Sequence, residues 1–472
     1  MNDMQVMTRF YDFLSREIEV NSDLVAREIH YMTANCSNEG LFFQVPMHPL
    51  FIDQELTNRY RRFGYLVGQV LDSILAVVSD HHHPLGAEFK QLLGFDEEIN
   101  ALFFSSPIGR CGPGVVRPDT VITEDGFKAH EFNVSWPGGI SDSDIIHKVL
   151  ENNTLYQKFK EEMDWEGIKL EFRGENPTIK LLGQELAQNS KNPRPHIALV
   201  HPRPTSPFGQ QDVDLHRYIQ KGLLEEGYDV SFIYPDQFEY SGGKPRFEGK
   251  AIDVVYRFFE WFHIQGDPGF LGYRQILEAW REGDVPVVNA FISEALSAKS
   301  VFEILWDDQY RECFDLGVLE EIRQYIPKTF NLAKANEEEL EILMEDRESW
   351  VVKPVKGSCG KEVFIGNLVH DTAFWGQVLE QGANTGAMVA QEFVETPEMT
   401  VCEVDGTGLV EDTHYLDLNP FYIQDQMGNF FARWSRTYMT AQCSPGIGGM
   451  YPVVSSSNLV RQPRDPFSQE DD

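Results

Sequence analysis

Residues 117–139 read RPDTVITEDGFKAHEFNVSWPGG. Val121, Ile122 and Thr123 favour an extended strand. Glu124-Asp125-Gly126 is a turn, because Gly beside Asp accepts the positive φ of a tight hairpin. Residues 127–134 form the return strand. Strict alternation would put Phe127, Ala129, Glu131 and Asn133 on one face. A turn centred on Asp125 sets Glu131 opposite Asp119. Directly opposed residues have Cβ atoms about 4.5–5.5 Å apart. Two carboxylates that close repel unless a cation neutralises them. With the Asn133 amide they form a hard oxygen set, which suits Mg²⁺ better than zinc. Arg117, two positions before Asp119, shares its face and is a candidate phosphate ligand. The alternative is a plain solvated strand face.

Beyond this hairpin, 472 residues exceed one ordinary core, so several domains are expected. The chain carries 74 acidic and 40 basic residues, a formal charge of −34. That argues against nucleic acid and anionic membrane as partners, both of which need a basic face. A cationic substrate would be attracted, although acidity also serves solubility. The six cysteines form no C-x-x-C pair and no zinc spacing. No signal-peptide pattern opens the chain and no run of eighteen apolar residues occurs. A soluble cytoplasmic protein is expected.

Residues 1–100 read as helical, with an amphipathic stretch from Leu56 to Val77. After the hairpin, residues 141–152 form a capped helix and residues 189–195 a linker. Residues 196–290 alternate strand and helix, the pattern of a parallel sheet. The first turn, HPRPTSPFGQQ, lacks G-x-G-x-x-G, which excludes a nicotinamide site there. We read this unit as a substrate or scaffold domain.

Downstream, residues 350–366 read as strand, glycine loop, strand. Lys353 stands before the loop at Gly357, Ser358, Cys359 and Gly360, whose backbone N–H groups suit a phosphate. It is not a Walker loop, since a strand follows and not a helix. Residues 388–394 form a strand whose end, Gln391-Glu392-Phe393-Val394, fits an adenine edge. Residues 446–449 read as a second glycine loop. The tail, residues 455–472, reads as flexible.

The pieces VVKPVKGSCGKEVFIG, VAQEFVE and the E-x-N of Glu131 and Asn133, with NAFISEALSAKSVFEIL upstream, resemble the ATP-grasp superfamily. E-x-N precedes the glycine loop here. That order is similar to the circularly permuted branch, the glutathionylspermidine synthetase-like carboxylate–amine ligases, with R-x-D at Arg117 and Asp119. The resemblance covers about residues 100–453. It implies a mixed α/β (α+β) ATP-grasp fold with a parallel-sheet pre-ATP-grasp-like domain and a helical N-terminal region. The implied division is 1–100 helical, 101–193 metal-binding, 194–293 substrate or scaffold, 294–454 nucleotide-binding and 455–472 tail.

The resemblance further implies ATP held by Lys299, Lys353, Gly357, Ser358, Gly360 and Gln391, Glu392, Phe393 and Val394. Mg²⁺ would sit on Asp119, Glu131 and Asn133, with Asp417 and Asn419 of YLDLNP as a competing set. Arg117, and second to it Arg433, would stabilise the transferring phosphoryl group. The implied activity joins a small-molecule carboxylate to an amine through an acyl phosphate. The acceptor would be a free amino compound, a peptide or a carrier-bound group. A phosphotransferase or a non-catalytic partner with the same fold are the other readings. Cys111 and Cys359 are read as structural.

Overall fold

Glu124 and Asp125 join strands Val115–Thr123 and Gly126–Asn133, and Gly126 takes φ +136°. Asp119 opposes Glu131, the pairing expected, and Arg117 opposes Asn133. The strict alternation does not hold. Asp119 pairs with Glu131 but Thr120 with Ala129, so His130 is an extra residue in the return strand. Such a bulge shifts the phase of side-chain alternation. Phe127, Ala129 and Phe132 therefore point to the core, whereas Glu131 and Asn133 are half-buried on the opposite face. The shared face expected for Phe127, Ala129, Glu131 and Asn133 is thus corrected.

The computed structural model describes residues 3–458, except 42, 81, 95–113, 172–175, 267–270, 358–359, 405–407, 438–439 and 441–446. The hairpin forms one edge of a six-stranded sheet. Its order is Ile447–Tyr451, Gln426–Ser435, Leu409–Ile423, Val115–Thr123, Gly126–Asn133, with Met399–Val404 also pairing to Leu409–Ile423. Its core face is covered by the helix Gln54–Ser79. Tyr60 stacks on Phe127 at 3.9 Å, and Tyr60 Oη shares a 3.0 Å hydrogen bond with Thr120 Oγ1. Gly64 lets the helix approach closely, since a Cβ there would come within 2.3 Å of Tyr422. This helix has the length and apolarity to cross a membrane, but its apolar stripe is buried against protein. Each such buried aromatic or aliphatic side chain contributes about 1.5–3 kcal/mol.

Residues 196–288 hold four parallel strands in the order Val287–Val288, Val254–Arg257, His196–Val200, Asp229–Ile233. A third, antiparallel sheet runs Thr329–Asn331, Met388–Glu392, Trp350–Pro354, Phe364–Ile365. It has its own core, with Trp350, Val352, Trp375 and Ala390 at its centre.

Two further expectations change. Ile447, Gly448 and Gly449 lie in an edge strand, not a loop, and Gly446 lies outside the described residues. A Cβ on Gly448 would meet Trp434 at 1.8 Å, so glycine is there for close packing. The flexible tail expected from position 455 is corrected for residues 455–458, and residues 459–472 lie outside the described residues. Val453–Asn458 is a central strand between Leu50–Asp53 and Ile168–Glu171, so its polar serines are fixed by backbone pairing on both sides. The same sheet adds a strand to the N-terminal region expected to be helical.

Candidate active site

Four positively charged side chains and three carboxylates meet where the core-averted face of the central sheet adjoins the third sheet. Asp119 accepts hydrogen bonds from Arg117 Nε (3.0 Å), Asn133 Nδ2 (2.7 Å) and Arg433 Nη2 (2.8 Å). Arg433 Nε also donates to Asp417 Oδ2 at 2.8 Å, as does Thr440 Oγ1 at 2.7 Å. Burial alone would push the Asp119 carboxyl up. Arg117 and Arg433 outweigh it and hold the group at about 2. Burial raises Asp417, whose one paired cation among the described residues is Arg433. The repulsion expected between carboxylates is therefore relieved by the protein's own arginines. Arg117 also donates to the Gly138 carbonyl (2.6 Å), and both guanidiniums lie over the Phe431 ring.

Two lysines arrive from distant segments. Lys299 precedes the helix Ser300–Trp306. Its backbone N–H donates to Val355 O at 2.9 Å, and its Nζ to Glu131 Oε1 (3.0 Å) and Gly357 O (3.1 Å). Lys353 is central in the third sheet. Its Nζ donates to His130 O (2.8 Å) and Gln391 Oε1 (2.7 Å), both neutral. The lysines are 4% and 6% exposed. Burial lowers Lys353 to about 7, and Lys299 pushes the same way. A buried ammonium with only neutral partners is a ready anion site.

The remaining expected residues are placed as follows. Gln391 Nε2 donates to Thr329 Oγ1 (2.9 Å), so this side chain orients Lys353 and does not face outward. Glu392 is engaged with Lys328, whose N–H it accepts at 3.0 Å, and the Phe393 N–H donates to Ser349 O at 2.7 Å. Val394 follows, half-buried. Gly357 is exposed and Gly360 takes φ +67°. Ser358, Cys359 and Cys111 lie outside the described residues.

The donor set suits a hard divalent ion. Asn133 Nδ2 is spent on Asp119 and the Arg117 carbonyl, which leaves its amide oxygen for an ion beside Glu131. The competing pair is committed elsewhere. Asp417 is saturated by Arg433 and Thr440, and Asn419 Oδ1 accepts the Thr120 N–H at 2.8 Å.

The sequence reading missed the contribution of the parallel sheet. Asn289, after its edge strand, bonds both backbone groups of Val115 (2.8 and 2.6 Å) and the Val134 carbonyl, fixing the hairpin to that sheet. Glu260 follows the strand Val254–Arg257 and accepts from Ser135 Oγ. Burial, with Glu294 nearby, raises its carboxyl to about 7. A signal was present: ligands bind outside the carboxyl ends of parallel strands, and VVYRFFEWFH places an acid there.

No protein-family profile matches this chain, and no curated protein sequence matches it. Among solved structures, a glutathione synthetase-like effector from Globodera pallida, in its apo form, is similar with a TM-score of 0.55 at 12% identity, over 88% of this chain and 94% of that one. A protein provisionally named a gamma-glutamylcysteine synthetase, from Methylobacillus flagellatus KT, gives a TM-score of 0.41 at 12% identity, over 82% of this chain and 88% of that one. The fold is mixed α/β and is similar to that of the glutathione synthetase-like effector.

Proposed function

We propose that this chain is an ATP-dependent carboxylate–amine ligase of the circularly permuted ATP-grasp arrangement, which forms an amide bond and releases ADP and phosphate. The observation that carries the proposal is the convergence of two buried lysines, Lys299 and Lys353, on the hairpin segment His130-Glu131. Lys299, Lys353 and the 357–360 loop would hold the phosphates. Glu131 and the Asn133 oxygen, with Asp119 behind them, would hold Mg²⁺. Mg²⁺–ATP supplies the activated phosphoryl group and neutralises its charge.

The protein's own task is positioning. Arg117 and Arg433 fix Asp119, and through it Asn133. The substrate carboxylate would take the γ-phosphoryl group as ADP leaves. The amine nitrogen would then bond the acyl carbon as phosphate leaves. Glu260, raised to about 7, suits the base that takes the amine's proton. The acid and amine are small molecules, and the acidic surface favours a cationic amine.

An ADP-release screen of carboxylic acids against amines, with ATP and Mg²⁺, tests this. The expected result is release that needs both substrates, with an amide in the mass spectrum. Release needing only one acceptor, with a phosphorylated product, would replace the ligase by a phosphotransferase. No Mg²⁺-dependent ATP binding would overturn both.

A further inference from the structure

A second cluster lies outside the nucleotide site, at the carboxyl end of the parallel strand His196–Val200. His201 follows that strand, and Asp212 and His216 stand four apart on one face of the helix Pro207–Glu225. His201 Nε2 is 3.1 Å from His216 Nδ1 and 3.4 Å from Asp212 Oδ2, and His216 Nδ1 is 3.7 Å from Asp212 Oδ2. Bonds of about 2.0–2.2 Å to a tetrahedral ion set ligand atoms roughly 3.3–3.6 Å apart, which matches this triangle.

The His201 tautomer agrees with ligation. His201 Nδ1 lies 2.7 Å from the Pro202 carbonyl, which only accepts, so Nδ1 carries the hydrogen. Nε2 then faces the triangle. A backbone carbonyl behind a metal-binding histidine is the usual orienting partner. Around the triangle the walls are apolar. His216 stacks on Phe258 at 4.5 Å, Trp136 meets it edge-on at 5.3 Å, and Phe232 covers His201. The histidines are buried, whereas the Asp212 side chain is 32% exposed, so the open side faces solvent.

Glu403, Asp412 and His414 also converge, but Arg436 already neutralises Asp412 and Tyr451 holds His414 Nδ1. No arginine or lysine pairs with Asp212 among the described residues.

We propose that His201 Nε2, His216 Nδ1 and Asp212 Oδ2 bind one Zn²⁺ ion, with a fourth position left for water or a donor atom of the substrate. Two imidazoles and one carboxylate suit zinc, unlike the all-oxygen set at Glu131. Trp136, three residues after Asn133, ties this site to the end of the hairpin strand.

The test is metal analysis by mass spectrometry of full-length, tag-free protein, incubated with Zn²⁺ and then gel-filtered. One zinc per chain is expected. Glu131→Gln should retain it. A His201→Ala/His216→Ala double variant should lose it, with affinity down at least about 100-fold, the upper end of what losing an outer partner alone costs. Should that variant fail to fold, Asp212→Asn serves, with at least about 10-fold weaker binding expected. Cobalt substitution should give visible absorption that disappears in the same variants. No zinc retained by the unaltered protein would mean a merely hydrogen-bonded histidine pair. Zinc undiminished in the variants, or lost in Glu131→Gln, would equally overturn the proposal.

Discussion

Lys299 Nζ lies 3.0 Å from Glu131 Oε1 although 168 residues separate them in sequence. The pair joins the hairpin to the glycine loop, because the same ammonium also reaches Gly357 O. Without nucleotide the lysine neutralises Glu131. With nucleotide, an ion and phosphates would divide the two between them.

Glu131→Gln removes the carboxylate and keeps its shape. ADP release should fall by about 10²–10³-fold, as loss of a transition-state charge partner does. Initial rates at saturating ATP and Mg²⁺ measure it. Unchanged rates would sink the metal role of Glu131.

Lys353 gives a pH dependence. Burial lowers its folded pKa to about 7 from 10.5, so between these values the unfolded chain binds the extra proton. The stability of the native protein relative to Lys353→Met should therefore rise with pH from 7 to 10.5. Urea melts at pH 7 and pH 9 show this. Nucleotide binding at pH 8 should also take up about one proton per chain, since phosphates restore the charge. Calorimetry in buffers of different ionisation enthalpy measures that uptake, and Lys353→Met should abolish it.

Arg433→Met leaves two buried aspartates, Asp119 and Asp417, with Arg117 as their one paired cation among the described residues. Breaking such a pair costs about 3–5 kcal/mol. Replacing Asp417 by Leu in the same chain should recover part of that loss. Denaturant unfolding of the single and double variants gives both numbers.

Glu260→Gln should remove an ionisation near pH 7. A base must be deprotonated, so the native rate should climb as pH rises through about 7. The variant should be slower and lack this limb. A variant profile with the same limb would assign it to another group.

Gly448→Ala drives a methyl group into Trp434. Overpacking of this kind costs about 1–3 kcal/mol. The thermal midpoint should fall while ATP binding by the folded fraction is kept.

The hairpin was legible because Asp125-Gly126 marks the turn, but the turn alone would set Asp119 against His130, and the bulge moves it opposite Glu131. The bulge was legible too, had phase been tracked. Apolar residues stand at 127 and 129 and then at 132 and 134, a slip of one residue at His130. The Lys299–Glu131 contact was not readable from local pattern and entered only through the resemblance. The pairing of Leu50–Asp53 with Val453–Asn458 left no sign at all, because parallel pairing over some four hundred residues carries no turn chemistry. Asn289 and Glu260 were passed over because their partners come from another sheet.

The order of the strands bears on how the protein is made. Asp119 waits for Arg433, which leaves the ribosome 314 residues later. At about 5–20 residues per second that interval is roughly 15–60 s. Until residue 423 is made, Val115–Thr123 has no neighbouring strand on its inner side, and the core face of the hairpin stands without the rest of its sheet. The helix Gln54–Ser79 has already been synthesised and covers that surface, with Tyr60 on Phe127. A helix made before the sheet it covers is thus in place to shield the core face of the early hairpin.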